Sequence, residues 1–375
     1  MASVGPADSP VPGQRRRAPG EPETPEDPGR EPPFLDLDLL EARARDRLPG
    51  PVFDYYAGGA ESETTLGEAT GAWRSWRLRP RVLRGVTAVR LGTELLGSGV
   101  RTPIAVAPWA YQGMAHPDGE RATARGAGAA GALMTVSTSA THTVEEVAAE
   151  TTGSPAWFQL YRLHSGGHTD DLARRAGDAG YRALVLTVDL PLFGRRRRDL
   201  RHDFALPADV RLANHPPDDR AAQPMPAWTF ADIARFGQVS GLPVVVKGVL
   251  RGDDAVRCVQ AGAAAVWVST HGGRQVDPAI ASAHALPEVV EAVGGDVEVY
   301  ADGGIRSGSD VLVALALGAS AVFVGRPTIW GLATGGADGV TRVLAALTEE
   351  LERTMVLCGL DDVRSVPRDT VTPAR

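Results

Sequence analysis

Eight short apolar runs punctuate the chain after Pro103: IAVAP (104–108), LMTVS (133–137), WFQLY (157–161), ALVLTVD (183–189), PVVVKG (243–248), AVWVS (265–269), VEVYADGG (297–304) and AVFVGR (321–326). Each is apolar throughout instead of alternating with polar residues, the pattern of strands buried on both faces of a parallel sheet. Ala-rich or charged segments with helical spacing lie between them, among them DGERATARGAGAAG, TVEEVAAE, DDLARRAGDAG and GSDVLVALALGA. Eight such units over about 250 residues predict an α/β fold, a (β/α)8 TIM barrel with its core at about 100–357. An open doubly wound sheet is the alternative reading of the same alternation. Ahead of the barrel, FLDLDLLEARARDRL and PVFDYYAGGAESETTLGEATGAW read as an N-terminal helical extension. Residues 1–33 are rich in Pro, Gly, Glu and Arg and nearly free of aliphatic side chains, which predicts a disordered tail before a domain spanning 34–375. One connection breaks the rhythm. About forty residues separate Asp189 from Trp228, including FGRRRRDLRHDF and NHPPDDRAAQPMP, and a connection of that length is usually functional or mobile.

Composition narrows the class without changing the fold. The chain of 375 residues is 43% hydrophobic and 23% charged, as a soluble globular protein is. A net charge of −7 gives no reason to expect nucleic acid or an anionic membrane as partner. Cys258 and Cys358 lie too far apart for a metal-ligand motif or a disulfide framework, which suits the reducing cytoplasm. No apolar run approaches the roughly 20 residues of a membrane span, and the basic GQRRRAPG is not followed by the apolar segment of a secretory signal. One residue stands out against the Arg-rich background: Lys247, at the end of PVVVKG, is the only lysine in the chain. Codon bias explains why lysine is missing elsewhere. It does not explain why one remains at the end of an apolar run.

In a barrel, polar residues at the C-terminal ends of strands face the active-site mouth. Those ends carry Trp109, Ser137, Gln159 with Tyr161, Thr187 with Asp189, Lys247, Ser269 with His271 and Arg274, Asp302, and Gly325 with Arg326. A single Ser or Thr at such a place is most often a turn former, but nearly every strand ends this way. ADGGIRSGSD and FVGRP end the seventh and eighth strands. Gly303, Gly304 and Gly325 would let backbone N–H groups approach an anion there, with Arg306 and Arg326 adding charge-assisted forks. In VSTHGGRQVD, His271 suits proton abstraction near neutral pH and Arg274 suits a carboxylate, while Asp189 is placed to orient the imidazole. His116, His142 and His284 lack such company and read as helix-end or surface residues.

Together these stretches resemble the FMN-dependent 2-hydroxy-acid oxidase family, which includes glycolate and lactate oxidases, mandelate dehydrogenases and the flavin domain of flavocytochrome b2. The likeness runs from about Phe34 to the C-terminal region. Its most specific piece is the family's Ser-Asn-His-Gly-Gly/Ala-Arg-Gln, here STHGGRQ with Thr270 in place of Asn; DYYAGGAE, AHPDGE, FQLY, LTVD, VVVKGV, DGGIRSGSDVLVALALGA and FVGRP match as well. The resemblance implies FMN as cofactor, His271 as base with Asp189 as its partner, and Arg274 and Arg196 as carboxylate ligands. It implies substrate contacts from Tyr55 and Tyr161. Flavin contacts fall on Pro108, Trp109, Ala110, Ser137, Gln159, Thr187, Lys247, Ser269, Asp302, Gly303, Gly304, Arg306, Gly325 and Arg326, with Lys247 beside the N1–C2 edge of the ring. It also implies a homo-oligomer, a tetramer in similar enzymes.

Two departures bear on substrate. Where the family often has Trp in S-S-W-A-T, STSAT places Ser139, and A-P-T-A-M becomes APWAY, which brings in Trp109 and Tyr111. An opened volume with added aromatic surface favours an aryl side chain, so mandelate or 4-hydroxymandelate is the expected substrate, oxidised to the 2-oxo acid with O2 reduced to H2O2. A soluble dehydrogenase passing electrons to a quinone or other acceptor is the alternative. An apolar insertion after strand four, as in membrane-bound mandelate dehydrogenases, is not what NHPPDDRAAQPMP offers, and Ala110 stands where those dehydrogenases tend to have Gly. Two remoter readings are a flavin-dependent isomerase, which would lack the His/Arg pair, and a non-catalytic barrel binding a phosphorylated ligand.

Overall fold

The computed structural model describes residues 35–151, 153–208, 210–216 and 227–374. The expectation for the tail at 1–33, and much of the polar segment NHPPDDRAAQPMP, lie outside the described residues. All eight apolar runs are parallel strands, numbered here around the barrel: β1 (Ile104–Val106), β2 (Met134–Ser137), β3 (Ala156–Leu160), β4 (Leu184–Thr187), β5 (Val244–Val249), β6 (Ala265–Val268), β7 (Glu298–Asp302) and β8 (Ala321–Val324). Each pairs with the next and β8 pairs with β1, so the sheet closes and leaves no edge. Helices follow the strands, from Gly119–Ala130 after β1 to the long Arg326–Cys358 after β8. The last is broken at Gly335 and Gly336, where the backbone leaves helical geometry.

Alternation along each strand sorts the core into two clusters, because successive side chains point to opposite faces. Ala105, Trp157, Val185, Val245, Trp267, Tyr300 and Phe323 fill the barrel interior, whereas Val106, Phe158, Leu186, Val246 and Val268 pack outward against the helices. The hairpin formed by Thr93–Leu95 and Ser98–Val100 adds Leu95 and Val100 to the interior cluster and so stoppers the end from which the strands start. Two residues further along from the interior side chains, the same inward parity falls on Ala107, Gln159, Thr187, Lys247, Ser269, Asp302 and Gly325. The barrel therefore changes from an apolar filling to a polar upper layer within one step of the pleat.

Three helices, Leu37–Arg47, Gly50–Ala57 and Thr64–Arg74, precede the barrel. The continuous DYYAGGAESETT stretch is thus split, with the helix ending at Ala57 and a loop carrying the next six residues. Strand Trp76–Leu78 pairs antiparallel with Val371–Pro373 and joins the two ends of the domain. The long connection after β4 holds one short helix, Arg197–Arg201. It is pinned to the extension by ion pairs: Arg197 to Glu61 at 3.0 Å, Arg198 to Glu63 at 2.6 Å and to Asp54 at 3.4 Å, and His202 to Asp54 at 2.8 Å. Single surface pairs contribute little, but these share partners and converge on one loop.

The helix Thr64–Arg74 lacks a side-chain cap of its own, since Glu63 at its N-cap makes none. Asp277, from the loop after β6, supplies it across the fold. Its carboxylate accepts from the Thr65 N–H (2.7 Å), Thr65 Oγ1 (2.9 Å), Ser62 Oγ (2.8 Å) and the Ser62 and Thr64 N–H groups. Desolvation works against ionisation there, but these donors outweigh it and pull the carboxyl down to about 2. The sign follows: this contribution is present above the unfolded-chain value of roughly 3.9 and is lost as pH falls towards about 2. Asp277→Asn is expected to destabilise the domain by about 1 kcal/mol at neutral pH. In urea titrations the difference from the unaltered protein should shrink between pH 4 and about 2; a difference independent of pH would refute the charged cap.

Candidate active site

The polar layer forms the floor of a cavity at the C-terminal ends of the strands. Lys247 on β5 is buried, and its Nζ donates to Ser269 Oγ at 2.8 Å and lies 3.4 Å from Asp302 Oδ2. Trp267 sits beneath the ammonium, 5.4 Å from ring centroid to Nζ. On the neighbouring strands Ser137 Oγ donates to Gln159 Oε1 at 3.2 Å. Ser137, Gln159 and Ser269 are buried in the same layer.

His271 stands above this floor on a left-handed backbone (φ 55°), followed by two glycines in the same region. Such a conformation costs a non-glycine residue about 1 kcal/mol or more and persists only where the surroundings impose it. Here Ser269 Oγ accepts the His271 N–H at 3.0 Å, and Asp189 Oδ1 lies 3.0 Å from Nδ1. That bond leaves Nε2 facing the cavity, with the Tyr161 hydroxyl 3.4 Å away. Burial pushes the imidazole below its ordinary pKa despite the opposing pull of Asp189, so the ring is neutral at neutral pH. Burial works to raise Asp189, but its interaction with His271, hydrogen bond included, and then the charge of Lys247 outweigh it and leave the carboxyl below its ordinary pKa. A neutral imidazole oriented by a carboxylate is a base ready to accept a proton at Nε2.

Three arginines crowd the same space. Arg274, almost wholly buried, donates through Nη1 to the carbonyls of Tyr55 (2.6 Å) and Gly58 (2.9 Å). Its Nε–Nη2 edge has no protein hydrogen bond among the described residues and is open to a carboxylate. Burial and the nearby charge of Arg196 bring Arg274 down to about 10, still protonated near pH 7. Arg196 packs against the rings of Tyr55 and Phe193, and its buried Nε has no partner among the described residues. Arg326 departs from expectation. Instead of a free fork for an anion, its Nε and Nη2 are committed to the carbonyls of Tyr56, Gly58 and Gly272 at 2.9–3.1 Å. Burial, then Arg274 and Arg306, hold its pKa well below the ordinary value.

The glycines also differ in use. A Cβ on Gly304 would meet the Ala69 carbonyl of the extension at 2.2 Å, and one on Gly325 would meet Trp109 Nε1 at 2.6 Å. Their freedom admits protein neighbours. Trp109 thereby lies between the guanidiniums of Arg274 and Arg326, 5.2 and 5.9 Å from them. Pro108, Ala110, Thr187, Gly303 and Arg306 line the cavity as well.

Buried polar atoms show what the floor lacks. Gln159 Nε2, Thr187 Oγ1 and Asp302 Oδ1 have no partner among the described residues. Donors and acceptors on three strands around one ammonium suit the heteroatom edge of a flavin, and the cationic cluster at β7 and β8 suits its phosphate. Residues absent from the sequence reading complete the walls or back them. Tyr56 is fully buried and donates to the Tyr111 carbonyl at 2.6 Å; Phe204, from the long connection, stacks on Tyr55 at 5.1 Å; His215 lies 3.1 Å from Ser139 Oγ. Tyr56 is adjacent to Tyr55 in DYY, but nothing local to Phe204 or His215 signals a role. His142 directly precedes the Thr143 N-cap of helix Val144–Ala148, a helix end as expected, but it does not lack company: its Nδ1 lies 3.0 Å from the buried Glu120, whose carboxylate also accepts from Gln112 and Thr141 and ties the loops after β1 and β2 together.

No helix among the described residues is long and apolar enough to cross a membrane. The chain is 46% identical over 351 residues to the L-lactate oxidase of Nostoc sp., covering 88% of this chain and 96% of that protein. It is 44% identical over 349 residues to the 4-hydroxymandelate oxidase of Amycolatopsis orientalis, covering 89% and 97%. A crystal structure of mandelate oxidase with (S)-2-phenylpropionate superposes with a TM-score of 0.85 at 45% identity, covering 90% of this chain and 98% of that one. The profile of the FMN-dependent dehydrogenase family matches residues 44–373. With the barrel, the His271–Asp189 pair and the unpartnered floor in place, the chain belongs to the FMN-dependent dehydrogenase family and is an FMN-dependent oxidoreductase.

Proposed function

We propose that the protein oxidises an (S)-2-hydroxy acid with an aryl side chain, of the mandelate type, to the 2-oxo acid. The observation that carries this reading is the neutral His271 imidazole, held by Asp189, beside the open Nε–Nη2 edge of Arg274. Arg274 and Arg196 bind the carboxylate as bidentate and supporting cations. Tyr161 and His271 Nε2 meet the hydroxyl, whose proton His271 accepts while Asp189 stabilises the resulting imidazolium. Bound FMN would supply the two-electron acceptor for the α-carbon, with O2 as the final oxidant, reduced to H2O2. Gln159, Thr187, Lys247 and Asp302 would hold its ring edge, and Arg306, with the backbone of Gly303 and Gly325, its phosphate; Arg326 contributes charge at the same place. Lys247 faces growing negative charge with a compact ammonium fixed by Ser269 and Asp302, a contribution of several kcal/mol, on the order of 3. The aryl preference is supported by Tyr55, Tyr111, Phe193 and Phe204 on the walls and by the small Ser139. We place the enzyme in the cytoplasm, whose reducing conditions suit its two free, buried cysteines, and as a homo-oligomer by likeness to its relatives.

Anaerobic mixing with (S)-mandelate should bleach the flavin absorbance, and air should restore it rapidly with peroxide. No bleaching with any 2-hydroxy acid would refute the redox role. Slow recovery hastened by a quinone would make the enzyme a dehydrogenase.

His271→Ala should retain FMN but lose about 10²–10⁴-fold in kcat. Because burial lowers the pKa of His271, the unaltered enzyme should keep its kcat/KM on the acid side to below the ordinary histidine value of roughly 6.5. An acid limb above that value would count against the neutral base.

Lys247→Arg should bind FMN weakly or be reduced slowly, since a planar guanidinium does not fit between Ser269 and Asp302 above Trp267. Normal FMN content together with a normal rate of reduction would remove the requirement for lysine.

A further inference from the structure

We propose that Ser139, Tyr111 and His215 form a subsite for a hydrogen-bonding substituent on the substrate's ring, so that the preferred substrate is a ring-hydroxylated arylglycolic acid. The inference rests on the aryl reading above and sharpens it.

The subsite is built from a distant part of the chain. After β4 the connection returns to the loop that follows β2, and Asn214 fastens it there. This side chain is 1% exposed, accepts the Val144 N–H at 3.0 Å through Oδ1 and donates through Nδ2 to the His142 carbonyl at 3.1 Å. Its own carbonyl receives His168 Nε2 at 2.9 Å, and the preceding Ala213 N–H reaches the Ala140 carbonyl at 3.3 Å. The next residue is thereby set into the cavity wall: His215 Nε2 lies 3.1 Å from Ser139 Oγ. Ser139 is itself buried, and its carbonyl accepts the Tyr111 N–H at 2.9 Å. The Ser139 hydroxyl and the His215 imidazole thus form a hydrogen-bonded pair in the cavity wall, which the Tyr111 phenol also lines, among the rings of Tyr55 and Phe204.

An unsubstituted phenyl ring does not need such a patch. Pressed against it, carbon displaces water from His215 and Ser139 and gives no hydrogen bond in return. A phenolic hydroxyl both donates and accepts, so it replaces the displaced water in kind. Sites that hydrogen-bond a substrate hydroxyl discriminate strongly against the analogue lacking it, whereas apolar pockets tolerate both. Asn214 is a positioning residue in this scheme, because it acts only by placing His215.

The test is the ratio of kcat/KM for (S)-4-hydroxymandelate over (S)-mandelate, measured with anaerobic flavin reduction and with the dissociation constants of 4-hydroxybenzoate and benzoate in the holoenzyme. The unaltered enzyme should favour the hydroxylated acid and the hydroxylated inhibitor by about tenfold or more. His215→Phe should reduce both ratios about tenfold to a hundredfold, His215→Gln should restore most of the loss, and Asn214→Ala should shift the ratios the same way. Should His215→Phe not bind FMN, Ser139→Ala reads the same ratios. Ratios near one in the unaltered enzyme, or ratios unmoved by these changes, overturn the subsite while leaving the aryl reading standing. Flavin that neither acid reduces overturns the aryl reading and the subsite with it.

Discussion

Two buried guanidiniums share one carbonyl, and much of the molecule depends on that. Arg274 and Arg326 both donate to the Gly58 oxygen, at 2.9 Å each, and to the neighbouring carbonyls of Tyr55 and Tyr56. Removing charged groups from water costs several kcal/mol each unless partners replace the hydration, and two like charges side by side add repulsion. The carbonyls at the end of Gly50–Ala57 supply part of that replacement, and in doing so hold the extension across the barrel mouth. What remains is an excess of positive charge in a closed space. Carboxylate and phosphate are the groups that neutralise it, and the family to which the chain belongs handles both.

The same charge field fixes the protonation states on which the chemistry depends. Burial first, and then Lys247 and Arg196, oppose a proton on His271, so the imidazole stays neutral while Asp189 stays ionised. Lys247 is spared an isolated charge by Asp302 at 3.4 Å. Each of these groups thus has a charged or hydrogen-bonding neighbour in the site. Tyr161 is the clearest consequence: burial first, then the charge of Asp189, push its hydroxyl up and keep it a donor.

The long connection after β4 links these parts. One end carries Arg196 and Phe204 to the substrate wall and is ion-paired to the extension through Asp54, Glu61 and Glu63. Gln275, the last residue of STHGGRQ, fastens the same loop by donating to the Asp189 and Leu192 carbonyls and accepting from the Gly194 N–H. His271, Asp189 and the cavity wall formed by Arg196 and Phe204 are therefore positioned by one hydrogen-bonded unit.

The barrel was legible because burial on both faces makes a strand apolar throughout, and eight such runs with helices between them admit few arrangements. The polar upper layer was legible for a related reason. Once the strands are placed, a period of two carries Ser137, Gln159, Thr187, Lys247, Ser269 and Asp302 inward at one level. His271, Arg274 and Asp189 followed from strand ends and from the resemblance carried by STHGGRQ. The use of Gly304 and Gly325 was not legible, because close approach to a ligand and close approach to Ala69 or Trp109 require the same missing Cβ. Nor was the commitment of Arg326 to carbonyls some 270 positions away. His142 and His215 look alike in sequence, yet one is tied to a buried carboxylate and the other lines the substrate cavity. The sequence by itself determined which elements form and which residues face the mouth, since periodicity and strand polarity are local. Which cation meets which carbonyl, and what the long connection brings back to β2, only the tertiary structure decided, because those contacts join segments whose spacing carries no period.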